Sequence, residues 1–206
     1  MILGSRLGDK KHRHDVYFKK AREENYASRA VYKLQEVDNK YRILRKGMRV
    51  IDLGAAPGSW SQYAAKKITS SGHLVSVDLN ELAITLPPWA KFFQSDFNNL
   101  DYAEIMAEIG GTFEVVLSDM APSTTGIKFT DCVRSAELVN SILDRIPDLL
   151  VAGGSFYCKI FQGEGFDPTL RRVHELFKRV KIIKPDSSRA ESKEQFIYAW
   201  ERKPLS

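Results

Sequence analysis

The sequence is poor in the residues that staple small extracellular domains and in the apolar runs that cross membranes. Its 206 residues include two cysteines, Cys132 and Cys158, too few for a disulfide framework or a four-ligand zinc site of their own. No apolar run approaches the roughly 18 residues of a membrane-spanning helix. The N-terminus also lacks the apolar core of a signal peptide. These absences predict a soluble, cytoplasmic protein without a metal site.

Internal repeats and low-complexity linkers are absent as well. A chain of this length can bury a large share of its surface as one domain. Its 43% hydrophobic and 28% charged residues are an ordinary globular balance. We therefore expect a single domain over 1–206, composed of a basic N-terminal extension with one helix over 1–46 and a core over 47–206.

Positive charge is concentrated at the two ends of the chain. Residues 1–46 carry a net charge of +7, residues 47–166 one of −6 and residues 167–206 one of +4. Basic ends around an acidic middle favour a polyanionic partner such as a nucleic acid. Charged ends can equally be solvated faces, and a pI near 9.1 leaves both interpretations open.

Apolar periodicity predicts strands that alternate with helices. Val31, Leu34, Val37 and Tyr41 recur at helical spacing, which indicates an amphipathic helix with Ser28 as its N-cap. Further along, strands are predicted over 48–54, 73–79, 91–96, 113–120, 154–161, 181–184 and 194–200, and helices over 59–68, 101–109, 131–150 and 168–178. This order indicates an α/β fold with a mainly parallel sheet, in which ligands bind at the carboxyl ends of the strands.

A glycine-containing loop follows the first predicted strand of the core. In VIDLGAAPGSW, Gly54 and Gly58 would let a ligand approach the backbone closely. The loop lacks the middle glycine of G-x-G-x-x-G, Pro57 removes an amide donor, and no Gly-Lys-Ser/Thr follows. A pyrophosphate cradle and a P-loop are therefore both disfavoured.

Aspartates at the ends of the next two predicted strands suggest a pocket of another kind. Asp78, 20 residues after Gly58, can accept hydrogen bonds from both hydroxyls of a ribose. Asp96 can accept one from the exocyclic amine of adenine. Each aspartate alone is more often a helix cap or a turn residue. Together with the loop they predict a site for an adenosine without a pyrophosphate, and S-adenosylmethionine is the common ligand of that kind.

The end of the fourth predicted core strand bears on the acceptor of a methyl group. Its sequence, DMAP over 119–122, lacks the Asp/Asn-Pro-Pro-aromatic pattern of amino-directed nucleic-acid methyltransferases. Methylation at a pyrimidine carbon needs a cysteine nucleophile, but Cys132 and Cys158 are better explained as core thiols. Neither an exocyclic amine nor a pyrimidine carbon is favoured as the acceptor.

Two lysines in apolar surroundings stand out instead. Lys33 lies in AVYKL and Lys159 in FYCKIF, and buried lysines are rare unless they are paired. A structural salt bridge to Asp119 or Glu194 would explain either lysine alone. Both lysines together with both carboxylates suggest a catalytic cluster.

Five segments resemble the FtsJ/RrmJ (RlmE) family of ribosomal RNA 2′-O-ribose methyltransferases. They are SRAVYKL, VIDLGAAPGSWSQY, LSDMAPSTTG, GSFYCKIFQGEG and KPDSSRAESKE, within a similarity that covers about residues 10–203. The resemblance implies a Rossmann-like methyltransferase fold with a mainly parallel seven-stranded sheet flanked by helices, a catalytic core over 47–206 and S-adenosylmethionine as cofactor. One departure is Ser59, where many members have a second glycine.

The resemblance also implies roles for particular residues. It implies a catalytic tetrad of Lys33, Asp119, Lys159 and Glu194. It also implies that the cofactor is bound by Gly58, Trp60, Asp78, Asp96 and Asp119. The loop pattern adds Gly54 to these predicted cofactor residues. The reaction needs the proton of a ribose 2′-hydroxyl to be removed or strongly polarised. Whether Lys159 is the base or a cation that stabilises the forming alkoxide is left open by its neighbours, because their effects on its charge oppose each other.

RNA binding is expected from the basic ends. The residues predicted to contact phosphates are Lys10, Lys11, Arg13, Lys19, Lys20, Arg22, Arg29 and Arg189, with Lys193 beside Glu194 and with Tyr17 and Phe18 as stacking partners. The expected acceptor is a uridine in large-subunit (23S-type) ribosomal RNA, methylated on the particle by a monomer. The N-terminal segment also resembles the tRNA-directed branch, so a tRNA anticodon loop is an alternative acceptor. A non-catalytic RNA-binding assembly factor and a small-molecule or protein methyltransferase are further alternatives.

Overall fold

The structure, a computed structural model of the protein, describes residues 16–188 and 192–204. Its strands are β1 (Arg49–Leu53), β2 (His73–Asp78), β3 (Ala90–Gln94), β4 (Phe113–Ser118), β5 (Leu150–Phe161), β6 (Phe177–Ile183) and β7 (Glu194–Arg202). Its helices are α1 (16–23), α2 (Val31–Tyr41), α3 (Ser59–Ile68), α4 (Tyr102–Glu108), α5 (Lys128–Leu149) and α6 (Phe166–Leu176). The predicted RNA contacts Lys10, Lys11, Arg13 and Arg189 lie outside the described residues.

The strands form one seven-stranded sheet in the order β3-β2-β1-β4-β5-β7-β6. Strands β1 to β5 pair in parallel, whereas β7 runs antiparallel to both β5 and β6. The predicted α/β fold with a mainly parallel sheet is confirmed. The order of strands reverses between β1 and β4, and that switch point is where open α/β sheets bind their ligands.

Helices cover both faces of the sheet because the central strands are apolar on both sides. On one face, α2 and α3 form a core that includes Leu34, Trp60 and Tyr63. On the other face, α4, α5 and α6 pack around residues such as Ile142 and Val173. Helix α2 therefore shares a core with the sheet. None of the helices among the described residues is long and apolar enough to cross a bilayer.

Helix α2 begins two residues later than the predicted cap implies. Its N-cap is Ala30, without a side-chain capping bond, so the prediction of Ser28 as the N-cap is wrong. The Ser28 hydroxyl accepts a hydrogen bond from the Ala30 amide (3.2 Å) and shares another with the hydroxyl of Ser59 (2.9 Å). The serine thus forms a local turn before the helix and ties it to α3.

The largest boundary differences are at the starts of α5, β5 and β6, and β6 begins at Phe177, four residues before the predicted start at 181. Helix α5 starts at Lys128 instead of Asp131 and reaches Leu149 with Pro147 in its last turn. Strand β5 begins at the next residue, Leu150, and its register against β4 shifts between Phe113 and Val115. Because Leu150 pairs with Phe113 before that irregularity, the strand also includes Gly153, which lies outside the predicted strand over 154–161.

Candidate active site

Four charged side chains from four separate segments meet near the carboxyl ends of the central strands. They are Lys33 in α2, Asp119 directly after β4, Lys159 in β5 and Glu194 at the start of β7. Their side chains are 11%, 19%, 9% and 13% exposed, in that order. The structure therefore brings the four residues predicted as a tetrad into one largely buried cluster.

Lys159 and Asp119 form the pair nearest the end of β4. The Lys159 Nζ lies 3.0 Å from Asp119 Oδ1 and also donates a hydrogen bond to the backbone carbonyl of Asp119. Asp119 Oδ1 is buried, and no described residue gives it a hydrogen bond of good geometry. The ion pair therefore leaves a buried acceptor available beside an ammonium.

Lys33 and Glu194 form the second pair. Lys33 Nζ donates to Glu194 Oε2 at 2.8 Å and lies 3.9 Å from Asp119 Oδ1, so it connects the two carboxylates. The ammonium also lies 5.3 Å from the centre of the Phe196 ring, within the range of a cation–π contact. Tyr157 holds α2 in place, because its hydroxyl donates to the Lys33 carbonyl at 3.0 Å.

A cavity of about 370 Å³ opens beside the tetrad, across the ends of β1 to β4. The residues predicted to bind the cofactor that line it are Gly54, Asp78, Asp96 and Asp119. Asp78 accepts a hydrogen bond from the Ala56 amide through Oδ2 (2.9 Å) and one from the Asn80 amide through Oδ1 (2.8 Å). Asp96 follows β3 by two residues and caps a 3₁₀ turn through the Asn98 amide. Both carboxylates are therefore fixed at the mouth of the cavity.

The two predicted glycines are required by close packing of the loop. Gly54 has a φ of +76°, and a Cβ there would lie 2.5 Å from Met120 Cγ and 2.9 Å from Met120 N. Gly58 has a φ of +116°, and a Cβ there would lie 2.5 Å from Ile84 Cγ1. Any side chain at Gly54 would push the β4 loop, and with it the wall of the cavity, out of place.

Comparison with known proteins agrees with this geometry. The model of the family described as FtsJ-like methyltransferase matches residues 26–202. The chain belongs to the FtsJ-like methyltransferase family. Two relatives named Ribosomal RNA large subunit methyltransferase E, from Desulfatibacillum aliphaticivorans and Oleidesulfovibrio alaskensis, are 45% and 48% identical over 92% and 91% of this chain and 91% and 90% of their own.

The solved structures include a similar fold from the same kind of protein. A putative ribosomal RNA methyltransferase from Plasmodium falciparum superposes with a TM-score of 0.74 at 28% identity, over 87% of this chain and 100% of that one. The methyl donor of an FtsJ-like methyltransferase is S-adenosylmethionine. The cavity suits it, because its volume is in the range of small-molecule sites and fixed carboxylates stand at the strand ends where hydroxyl and amine donors would be bound.

Trp60, predicted as a cofactor residue of this FtsJ-like protein, has its indole outside that cavity. The side chain is 2% exposed, stacks on Tyr157 with ring centres 5.4 Å apart, and donates from Nε1 to the Ala30 carbonyl at 2.8 Å. The indole thus supports the start of α2, the helix that carries Lys33. Gly58, at the N-cap of α3, is likewise absent from the lining of the cavity.

Arg29, predicted as a phosphate contact, is engaged within the protein. Its Nη1 donates to the backbone carbonyl of Ser187 at 3.1 Å. Lys19, Lys20 and Arg22 are exposed on α1, where Lys20 lies 3.8 Å from Glu24 and 4.8 Å from the centre of the Tyr32 ring. Of the four N-terminal residues predicted as phosphate contacts that lie within the described chain, these three present their cations to solvent.

Asp52 is a buried acid next to the cofactor loop that the sequence analysis missed. It lies in β1 just before the Gly54 loop, is fully buried, and accepts a hydrogen bond through Oδ2 from the Ser61 hydroxyl (2.7 Å). Burial raises the pKa of Asp52 to about 7; the Ser61 hydrogen bond opposes this, and the negative charges of Asp119 and Asp78 add to it. A single acid inside the apolar run VIDL was the signal that could have identified it.

A second, open cavity of about 650 Å³ lies beside the tetrad. Lysines contribute to its lining from three segments: Lys128 at the start of α5, Lys184 after β6 and Lys193 before β7. Asp131 lies among them, 3.3 Å from Lys193 Nζ. A hydrogen bond from the Thr125 amide and the Lys193 ammonium hold the pKa of Asp131 below its usual value. We call this region the lysine groove; even with Asp131 ionised it carries a surplus of positive charge.

No cluster of three or more His, Cys, Asp or Glu side chains within 16–188 and 192–204 is arranged to hold a metal ion. The two cysteines are buried. Burial raises the pKa of the Cys158 thiol far above its usual value, and the Cys132 thiol donates to the Gln162 carbonyl at 3.4 Å.

Proposed function

We propose that this protein transfers a methyl group from S-adenosylmethionine to the 2′-hydroxyl of a uridine in large-subunit (23S-type) ribosomal RNA. The observation that carries the proposal is the Lys33–Asp119–Lys159–Glu194 cluster beside the cofactor cavity, which Asp119 also lines. The names of relatives that are 45% and 48% identical over nine tenths of the chain support the choice of substrate. One chain supplies all four tetrad residues and the cavity, so the proposed site needs no second copy, and we propose a monomer that acts in the cytoplasm.

The cavity residues bind and orient the methyl donor. We propose that Asp78 accepts from the ribose hydroxyls and Asp96 from the adenine amine, while Gly54 lets the donor lie against the backbone. Gly58 and Trp60 act indirectly, by shaping the loop and by supporting α2. S-adenosylmethionine supplies an electrophilic methyl group on a sulfonium. An in-line displacement at that carbon depends strongly on position, so these contacts contribute to the rate as well as to affinity.

The tetrad orients the acceptor hydroxyl. Asp119 Oδ1 is the buried oxygen that lacks a well-formed hydrogen bond from the described residues, so we propose that it accepts the hydrogen of the 2′-hydroxyl and takes up its proton. Lys159 Nζ, 3.0 Å from the same oxygen, then lies beside O2′ and stabilises the negative charge that forms there. Lys33 and Glu194 hold this pair in place. In this proposal Lys159 is the cationic orienter and Asp119 the proton acceptor.

The RNA strand follows the positive surface on both sides of the tetrad. We propose that the basic extension over 1–46 contacts phosphates through its lysines and arginines, with Lys19, Lys20 and Arg22 exposed on α1. On the other side, the lysine groove begins at Lys193, next to Glu194. Ile127 and Phe129 are 62% and 64% exposed on either side of Lys128, and their apolar surface suits the stacking of a splayed base.

The proposal is tested with large ribosomal subunits from a strain that lacks this protein. Purified protein and labelled donor should methylate the subunit RNA once, at a uridine 2′-oxygen located by mass spectrometry. Free tRNA should accept far less label. Efficient methylation of tRNA anticodon loops with no transfer to ribosomal particles would contradict the proposed substrate, and binding without transfer to any RNA would indicate an assembly factor.

A further inference from the structure

Helix α2 is hydrogen-bonded to the 185–188 segment, which precedes Glu194 in the chain, by contacts that the reaction chemistry alone does not require. Both oxygens of the Glu36 carboxylate accept backbone hydrogen bonds, Oε2 from the Asp186 amide (2.8 Å) and Oε1 from the Ser187 amide (3.0 Å). Arg29, two residues before the start of α2, donates to the Ser187 carbonyl at 3.1 Å. The Ser187 peptide is thus held at its amide and its carbonyl by residues about 150 positions away.

The 185–188 segment is connected to the tetrad by a hydrogen bond. Ser188, the next residue, donates from its hydroxyl to Glu194 Oε1 at 2.9 Å, while Glu194 Oε2 receives Lys33 at 2.8 Å. Lys33 is three residues before Glu36 on α2, so both lie on the same side of the helix. A closed circuit of contacts therefore runs from Lys33 through Glu194, Ser188 and the Ser187 backbone to Glu36 and back along the helix.

This carboxylate contributes little to the core beneath α2. The buried residues of the helix are Val31, Tyr32, Leu34, Val37 and Asp38, whereas Glu36 is half-buried and faces the 185–188 segment. Hydrogen bonds from amides to a charged carboxylate are stronger than those between neutral groups. Ser187 is 3% exposed, so water competes little for the anchored peptide. Such an arrangement fixes the position of a backbone segment.

We propose that Glu36 is a positioning residue of the methyl transfer: it anchors the 185–188 segment so that Ser188 and Lys33 hold Glu194 in the tetrad. The inference rests on the proposed function for its kinetic consequence. The geometric part, that Glu36 protects the Asp186 and Ser187 amides, stands without it. A displacement of about 1 Å at a reacting centre can cost about 10²-fold in rate, so loss of the anchor should lower kcat by an amount between ten- and a hundredfold.

The test compares Glu36→Gln, Glu36→Ala and Ser188→Ala with Asn39→Ala, an exposed residue of the same helix. Hydrogen–deuterium exchange of the peptide that covers 184–188, donor affinity by calorimetry, and kcat and KM on undermethylated large subunits are measured for each. We expect both Glu36 variants to exchange faster at this peptide and to lose kcat, Ala more than Gln. Ser188→Ala should lose kcat without faster exchange at the Asp186 and Ser187 amides. Donor affinity should stay within about twofold throughout, and Asn39→Ala should match wild type.

The outcomes separate the two claims. Wild-type exchange in Glu36→Ala would overturn the anchor, and faster exchange with a wild-type kcat would overturn its role in positioning. A loss of kcat matched by an equal loss of donor affinity or of helix content would indicate general damage and also overturn it. If wild-type protein transferred no methyl group to ribosomal particles, the proposed substrate would fail, while exchange and kcat on the RNA that is methylated would still decide the inference.

Discussion

The two halves of the active site are built in different ways. The donor half lies at the ends of β1 to β4, and its residues follow neighbouring parallel strands one after another. The acceptor half joins α2, the end of β4, β5 and β7, with Lys33 and Glu194 separated by 161 residues. A parallel sheet places the donor half by its topology alone, whereas the acceptor half depends on individual ion pairs and on the anchored segment before β7. We therefore expect changes in the donor half to alter affinity and those in the acceptor half to alter the rate.

The largest expected effect is on the pH dependence of stability, and it tests the buried strand β1 that carries the Gly54 loop of the donor half. Asp52 has its pKa raised to about 7 by burial, from 3.8, so the folded state holds a proton that the unfolded state releases. The stability this proton provides is fully present below about pH 4 and is lost as the pH rises towards 7, by on the order of 4 kcal/mol. The free energy of unfolding is measured by urea unfolding of wild type and Asp52→Asn at pH 5 and pH 8. It should fall less from pH 5 to pH 8 in the variant than in wild type, and an equal fall in both would contradict the raised pKa of Asp52.

The next prediction concerns the rate in the acceptor half. Lys159→Ala should lower kcat by about 10²- to 10³-fold, as expected when a group that stabilises developing charge is removed. Donor affinity should remain close to wild type. Lys159→Arg separates the two roles of this lysine, because a guanidinium keeps the charge but cannot act as a base. In single-turnover measurements the Arg variant should react faster than the Ala variant. Lys91→Ala, which changes an exposed lysine of β3, is the control. If the Arg and Ala variants were equally inactive, Lys159 would instead be favoured as the base.

The same division explains how much the sequence could predict. Alternating apolar segments predicted the strands and the helix over 59–68, and the loop with its following aspartates predicted the donor cavity, since local spacing determines both. Apart from the resemblance, nothing local brings Lys33 to Glu194, and the Glu36 anchor has no sequence pattern of its own. Ser28 was misassigned because a serine before a helix can form a turn as readily as a cap. Arg29 looked like a phosphate ligand because charge alone does not reveal an internal partner.

The affinity for S-adenosylmethionine is the most direct test of the donor half. Asp78→Ala should weaken S-adenosylmethionine binding by about 10- to 10²-fold, as expected for the loss of one or two hydrogen bonds to a charged group. Part of the loss would come from the Ala56 amide, which Asp78 also holds. At saturating donor, kcat should recover to near the wild-type value. Isothermal titration with Asp144→Asn, an exposed aspartate paired with Arg172, provides the reference, and an unrecoverable kcat would show that the two halves are not separable.

The smallest expected effect is on the RNA path beside the acceptor half. Lys128 lines the lysine groove and is exposed, so Lys128→Gln should remove one phosphate contact, weaken RNA binding a few-fold at moderate salt, and lower the slope of log affinity against log salt by about 1. Lys178→Gln is the matched control, because this exposed lysine lies near the first residue of β6, away from the tetrad. The last residue of that strand, Ile183, is the one that pairs with Phe196 beside the tetrad. Both slopes would be measured by filter binding of large-subunit RNA over a salt series.

An unchanged slope for Lys128→Gln would remove the groove from the RNA path, whereas an equal drop in both variants would mean that the strand is attracted by overall charge. A drop confined to Lys128 would extend the acceptor half beyond the tetrad, onto a surface where charge, not a buried network, decides how the RNA is held.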